Sequence, residues 1–367
     1  VSTSARPGAA STSGRRLPWA NVIKLVLSLG LGGWLIYGMH VGGLPLVPPA
    51  RVFAQVSWWT VVAYVVLLAI ASYFRGVRWR LLLEPIAPVS SGRALNAVLI
   101  GSAAVLLLPF RLGETARPYL IARQTRVGVV AALGTVVAER IIDGLVLSLI
   151  LGAAMIAVPT LHPLPEQVIG LPIPVSAVRG YAWTFLAIFS AAFLVILLIH
   201  AARDLGTRIL RSVFGVVSTR LATLITTTLE RFADGLGFFR HRKLGLRYLL
   251  ETAVYWLFAV LGYWILGWGC GVVHADQSIM TFGEACAVMG VLGIAAALPG
   301  PPGLIGLFQA GAYAAMTMYF PANTVTGAGA AYVFLLYVVQ LSFTILTACV
   351  GLLLNFLAPA RPLDEAA

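Results

Sequence analysis

The chain has 367 residues, 60% hydrophobic and only 10% charged, with a net charge of +12 and a mean hydropathy of +0.93. Length alone allows one or two ordinary domains, but several uncharged runs near twenty residues override it and read as an all-α polytopic integral membrane protein, because lipid offers backbone groups no partner. Excess Lys and Arg in such a chain marks cytoplasmic loops and attraction to anionic lipid heads, so no nucleic-acid partner is expected.

Residues 1–18 are rich in Ser, Thr, Ala, Gly and Arg, and are expected to form a disordered cytoplasmic tail. Arg15, Arg16 and Lys24 precede the first apolar run, and no small-residue cleavage site follows it, so 22–39 reads as a retained span with its N-terminus inside. Residues 42–49 form a turn-rich outer loop. The span 58–74 carries Trp58 and Trp59 as interface anchors, and Arg75, Arg78 and Arg80 after it read as cytoplasmic interface anchors.

The run 94–108 is short and rich in small residues, and it leads into LLLPFRLGETARPYLIARQTR (106–126). A full crossing here would place Arg111, Arg117, Arg123 and Arg126 outside, against the positive-inside rule. A re-entrant hairpin satisfies the rule, provided its irregular backbone is buried in protein or lines a cavity. Next come an outward helix 129–158, a Pro-rich outer loop and a returning span 181–200. Residues 203–247 hold nine Lys or Arg against three acids, and Leu205, Ile209 and Val213 share one face. This segment is expected to lie on the cytoplasmic membrane surface. Then follow an outward span 248–273, a second small-residue run 282–298 that ends at Leu-Pro, its partner 304–320, a final span 328–357 and a cytoplasmic tail 359–367.

The expected layout has about six full transmembrane helices and two re-entrant hairpins in a single domain, 19–358. Both termini lie in the cytoplasm, and of the Lys and Arg residues only Arg51 and Arg179 fall outside. The membrane implied is the cytoplasmic one. SGRALNAVLIGSAAVLLLP (91–109) resembles FGEACAVMGVLGIAAALP (282–299), and the two occur in opposite orientation. This is the inverted-repeat plan of many transporters, although Gly/Ala-rich runs also arise from helix packing alone.

Charges inside the bilayer are the sharpest chemical signal, since each costs ~3 kcal/mol at its centre. Arg111, Glu114, Arg117, Glu139, Arg140 and Asp143 must therefore face one another or water. Glu139 and Asp143 share a helical face, and Arg111 or Arg117 are their expected partners. Such a cluster is either a structural ion-pair network or a site whose arginines meet an anionic head group. Helices restarting after Pro109 or Pro302 would offer free N–H groups to an anion, and Gly300, Gly303 and Gly306 permit close backbone approach. Cys270, Cys286 and Cys349 form no close pair and no metal spacing, and read as packing residues. No nucleotide-binding loop, zinc motif or nucleophile triad is present, and no cofactor is expected.

RGVRWRLLL, LPFRLGETARPYL, ERIIDGL and LPGPPGLIGLFQAG, in that order, resemble the signature segments of the flippase-like membrane domain of lysylphosphatidylglycerol synthases. The resemblance covers nearly the whole chain after the N-terminal tail. It implies a helical membrane domain with re-entrant hairpins that moves or handles lipids with polar heads. By motif it carries lipid-binding roles onto Arg111, Gly113, Glu114 and Arg117, onto Glu139, Arg140 and Asp143, and onto Pro299, Gly300 and Gly303. Gln309 stands where the family often has an acid, so a charge role there is not implied. The soluble aminoacyl-transferase domain of the full synthases does not follow Leu357, so lysyl transfer is not expected. The leading reading is translocation of a phospholipid, glycolipid or polyprenyl-linked lipid. Transfer of a sugar or aminoacyl group to a lipid carrier is the alternative, and a scaffold for lipid-biosynthesis enzymes is a third.

Overall fold

The computed structural model describes residues 19–108, 113–169, 171, 173–201, 242–298 and 300–357. The two tails and 203–241 of the expected amphipathic segment lie outside the described residues. Residues 242–247 are the first turns of a long helix, and that helix ends at Gly269.

The described elements are helices: α1 (Trp19–Val41), α2 (Ala50–Phe53), α3 (Trp58–Leu83), α4 (Ser91–Leu107), α5 (Ala116–Gln124), α6 (Val129–Ala157), α7 (Val175–Ala201), α8 (Arg242–Gly269), α9 (Phe282–Ala297), α10 (Leu307–Thr317), α11 (Ala322–Thr326) and α12 (Ala328–Leu357). A 3-10 turn, Pro302–Leu304, precedes α10. Among the described residues, α3, α6, α7, α8 and α12 are long and apolar enough to cross a membrane, and shorter apolar stretches occupy Val26–Val41, α4 and α9. The chain is an all-α polytopic membrane protein.

α3 and α8 form the spine and run antiparallel. The Ser57 amide at the start of α3 donates to the Gly269 carbonyl at the end of α8 (2.8 Å). Further along, Phe74 stacks on Phe258, and Arg78 lies over the Tyr255 ring. Small residues bring the two helices close: a Cβ on Gly269 would overlap Thr60, and one on Gly262 would press on Tyr64.

Two helix pairs enter this spine from opposite ends. α4 starts beside the end of α3, where Arg80 donates to Ser91 Oγ (3.0 Å). α5 returns to the same level, where Arg93 at the start of α4 donates to the Gln124 carbonyl (3.4 Å). The second pair belongs to the other end. His274 reaches both Glu284 at the start of α9 (2.9 Å) and Phe320 just beyond α10 (ring centroids 4.7 Å apart). The α9 start is fixed by a capping box, with Thr281 Oγ1 accepting from the Glu284 amide (3.3 Å) and Glu284 Oε2 from the Thr281 amide (2.7 Å). At 17 and 16 residues, α4 and α9 span ~25 Å, short of a ~30 Å hydrocarbon core. Each ends in an extended Leu, Leu108 or Leu298, where the helical ladder stops.

The packing follows one pattern in both halves. α3 lies on α4 as α8 lies on α9, α4 on α5 as α9 on α10, and α5 on α6 as α10 on α12. Across the halves, α4 packs on α12 as α9 packs on α6. Both crossings are antiparallel: Asn96 and Ile100 face Asn355 and Gly351, while Gly283, Gly290 and Gly293 face Val158, Leu151 and Leu147. Exchanging α3 with α8, α4 with α9, α5 with α10 and α6 with α12 maps this set of contacts onto itself.

The first hairpin depends on contact without side chains. A Cβ on Gly113 would lie 2.0 Å from the Ala104 backbone carbon, which cannot move aside. Gly113→Ala should therefore destabilise the protein by about 1–3 kcal/mol, the usual range for overpacking. Gly92→Ala, at an open position in α4, should be neutral or slightly stabilising. Thermal unfolding of both variants in detergent micelles checks the contrast.

Candidate functional site

The spine and the first hairpin meet at a buried ion cluster centred on Glu139 of α6, which is fully buried. Arg117 of α5 grips it from one side, Nη2 to Oε2 at 2.8 Å and Nη1 to Oε1 at 3.3 Å. Arg78 of α3 donates from Nη2 to Glu139 Oε1 (3.2 Å) and takes Asp143 in a two-point contact through Nη1 and Nη2 (2.5 and 2.6 Å). Arg75 Nε and Arg140 Nη2 stand farther off, at 3.7 and 3.8 Å from Glu139 Oε1.

Local sequence explains the geometry. Glu139 and Asp143 are one helical turn apart on α6 and present adjacent carboxylates to α3. Gly101 allows the close approach of Arg117, since a Cβ there would sit 2.0 Å from Arg117 Cγ. Gly76 does the same for α3 against Leu95 (2.9 Å). Aromatic faces complete the sleeves: Arg117 lies 4.4 Å over Trp79, and Arg78 lies 4.4 Å over Tyr255. Trp79 is itself pinned by donating to Thr135 Oγ1 (3.1 Å), whose hydroxyl donates to the Ala132 carbonyl (2.7 Å).

The structure corrects one expectation from the sequence. Arg78 is no interface anchor: it is fully buried and is the main partner of Asp143. α3 continues to Leu83, so its arginines lie within a packed helix rather than in a loop after it. Arg80 is half-buried, with an i,i+4 contact to Glu84 at 3.7 Å and a bond to Ser91. The Gly76 beside Arg75 was the available signal, because a glycine among arginines marks a helix face packed on another backbone.

The other sequence candidates divide. Arg111 and Pro299 lie outside the described residues. Glu114 acts electrostatically on Arg140. Gly303 adopts a left-handed conformation (φ 72°), and its carbonyl accepts from Tyr337 (2.9 Å). Gly300 packs on Leu307 and Leu304. Gln309 is buried, and its Oε1 accepts from the Gly306 amide (2.9 Å). It caps the restart of α10, which begins at Leu307 rather than at Pro302, and so engages a donor that a bound anion would need. Among the described residues no group of His, Cys, Asp and Glu has the makings of a metal site. The cysteines are unpaired; Cys270 is buried, Cys286 half-buried and Cys349 exposed.

A partly open cavity of about 330 Å³ adjoins the cluster and lies between the two halves. α3, α4 and α6 of the first half line it together with α8, α9, the 3-10 turn, α10 and α12 of the second. Leu68, Val98, Leu147, Phe258, Met289 and Phe308 make its wall largely apolar, while Arg75 and Arg140 supply charge. Several polar neighbours are already engaged by the protein. Ser102 donates to the Val98 carbonyl (2.7 Å), and Tyr64 donates to Gln340 (3.5 Å).

Arg78 and Glu139 are the pair whose loss costs most. Arg78→Gln leaves Asp143 without its two-point partner, and about 3–5 kcal/mol of destabilisation is expected when one member of a buried pair is removed. Arg80→Gln, at a half-buried position, should cost ~0–1 kcal/mol. Denaturant or thermal unfolding of the two purified variants tests the difference.

No curated protein and no solved structure matches the chain. The family described as the lysylphosphatidylglycerol synthase TM region matches residues 21–359, nearly the whole length. The chain therefore belongs to the lysylphosphatidylglycerol synthase transmembrane-region family.

Proposed function

We propose that this protein translocates a polar-headed lipid across the cytoplasmic membrane by alternating access at the cavity between its two halves. The observation that carries this reading is the character of that cavity: a mostly apolar wall with two arginines, set between halves of matching and opposed packing. A lipid has the same division, a polar head that must cross and tails that stay in hydrocarbon. In transporters built as inverted repeats, the site lies where broken helices meet at the repeat interface. Here the 3-10 turn of the second hairpin packs on α4 of the first, beside the cavity. Both hairpins are read as re-entrant, the first from the cytoplasm and the second from outside.

The transfer-enzyme alternative finds less support. General acid or base work needs a carboxylate free to exchange a proton. Glu139 and Asp143, the cavity's nearest buried acids, are both clamped by arginines.

Proteoliposomes carrying the purified chain and a panel of head-group-labelled lipids test the proposal. Wild type should move at least one lipid class to the opposite leaflet faster than protein-free vesicles do. Ala259→Phe, which puts bulk into the cavity wall, should abolish most of that excess while the variant still folds. Unchanged translocation with the cavity filled would overturn the reading.

A further inference from the structure

We infer that Arg75 and Arg140 form the head-group clamp of this cavity, and that the lipid they select carries an anionic phosphate rather than an aminoacylated, cationic head. The inference rests on the transport reading and names the substrate class of that same site. The sequence points to Arg111 and Arg117 for this task, but Arg117 is buried and held by Glu139 through both terminal nitrogens. Arg78 is likewise engaged by Asp143 and Glu139.

Arg75 and Arg140 differ from both. They line the cavity, their side chains keep 22% and 26% of their exposure, and each approaches Glu139 only at the outer limit of an ion pair. Arg75 makes one hydrogen bond to a described residue, from Nη1 to Ser102 Oγ (3.2 Å). Arg140 makes none to a described residue. The Nε atoms do not separate the four arginines, since those of Arg75, Arg78, Arg117 and Arg140 are all buried without an acceptor among the described residues; the exposed part of the side chain does. The exposed part of each guanidinium side chain thus borders one largely apolar space, where a charge is costly unless a ligand supplies acceptors.

Charge decides which ligand. Among the described residues, four arginines (75, 78, 117 and 140) stand against three carboxylates (Glu114, Glu139 and Asp143). The cluster keeps a positive excess in a low-dielectric setting, which favours an anion and repels a cationic group. Guanidinium forks match phosphate in two-point contact, and phosphate is the anion that joins a phospholipid's head to its tails. A volume of about 330 Å³ accommodates a head group, with the tails left among the lipids.

The test is competition binding to the purified full chain in neutral detergent. The probe is phosphatidylglycerol with a fluorescent tail, and the competitors are phosphatidylglycerol, lysyl-phosphatidylglycerol, an uncharged diacylglycerol glycolipid and inorganic phosphate. Unlabelled phosphatidylglycerol should compete best, with lysyl-phosphatidylglycerol about tenfold weaker or more, and glycolipid and inorganic phosphate ineffective. Arg75→Gln and Arg140→Gln should each weaken probe binding about tenfold, with Arg→Lys at either position intermediate, because lysine keeps the charge and loses the fork. Their unfolding midpoints should stay near wild type, unlike that of Arg78→Gln. Equal competition by lysyl-phosphatidylglycerol, or unchanged binding by both Gln variants, overturns the inference. Competition by inorganic phosphate as strong as by the lipid would show a phosphate site that does not read lipid. If the glycolipid binds and is translocated while phosphatidylglycerol does neither, the transport reading stands and the head-group inference fails. If no lipid binds or moves, the transport reading fails with it.

Discussion

Glu139 is the point on which the rest of the structure depends. A lone carboxylate in a membrane interior is costly, and so is a lone arginine. Placed together they become tolerable only with good geometry and saturated hydrogen bonding. The fold supplies most of this by bringing α3, α5 and α6 to one point, so that Arg78 and Arg117 reach Glu139 from two helices and Asp143 takes both terminal nitrogens of Arg78, while the Nε atoms of the two arginines stay without an acceptor among the described residues. The first hairpin is thereby tied electrostatically to the spine. The short return helix α5 is pinned by the same buried ion pair.

Close approach is the second requirement, and glycine meets it. Charged pairs of this geometry form only if the helices come within reach, and the glycines stand where reach is needed. Gly101 faces Arg117, Gly113 faces the α4 backbone, Gly76 faces Leu95, and Gly290 and Gly293 receive α6. In lipid there is little hydrophobic gain from joining helices, so tight van der Waals contact through small residues carries the association. The small-residue runs and the charged cluster are thus two parts of one solution.

Much of this was legible in the sequence. The alternation of apolar runs with Leu-Pro breaks marks both hairpins, and the one-turn spacing of Glu139 and Asp143 shows that they act together. The partner of Asp143 was not legible. Arg78 stands in a cluster of arginines at the end of an apolar run, where the positive-inside pattern and snorkelling explain any arginine. Only the packing of α3 against α6 and α8 separates Arg78, fully buried, from Arg80, two residues on and half-buried. Helix periodicity places residues on faces; it does not say which face meets which helix. The role of Gln309 was hidden for a similar reason. Gln309 drew notice because it stands where the resembled family often has an acid, and the cap it makes becomes visible only when Gly306 is seen as the residue before the helix.

The two halves match in packing and differ in chemistry. Where the first half holds its return helix α5 with charge, the second holds the restart of α10 with neutral bonds, Gln309 to the Gly306 amide and Tyr337 to the Gly303 carbonyl, and with left-handed backbone at Gly303, Leu304 and Gly306; its His274–Glu284 contact lies at the far end of α9. Separating a buried ion pair costs several kcal/mol, whereas a neutral hydrogen bond contributes about 1 kcal/mol net. If the halves exchange conformations around the cavity, the barrier is lower for moving the second hairpin than for moving the first. The charged half then serves as the fixed wall, with Arg75 and Arg140 3.7 and 3.8 Å from the carboxylate that anchors Arg78 and Arg117. Glycine-rich, neutral contacts on the opposite wall let it shift without exposing a charge to lipid. In this account symmetry supplies the shape of the pathway, and the asymmetry of charge determines which wall moves.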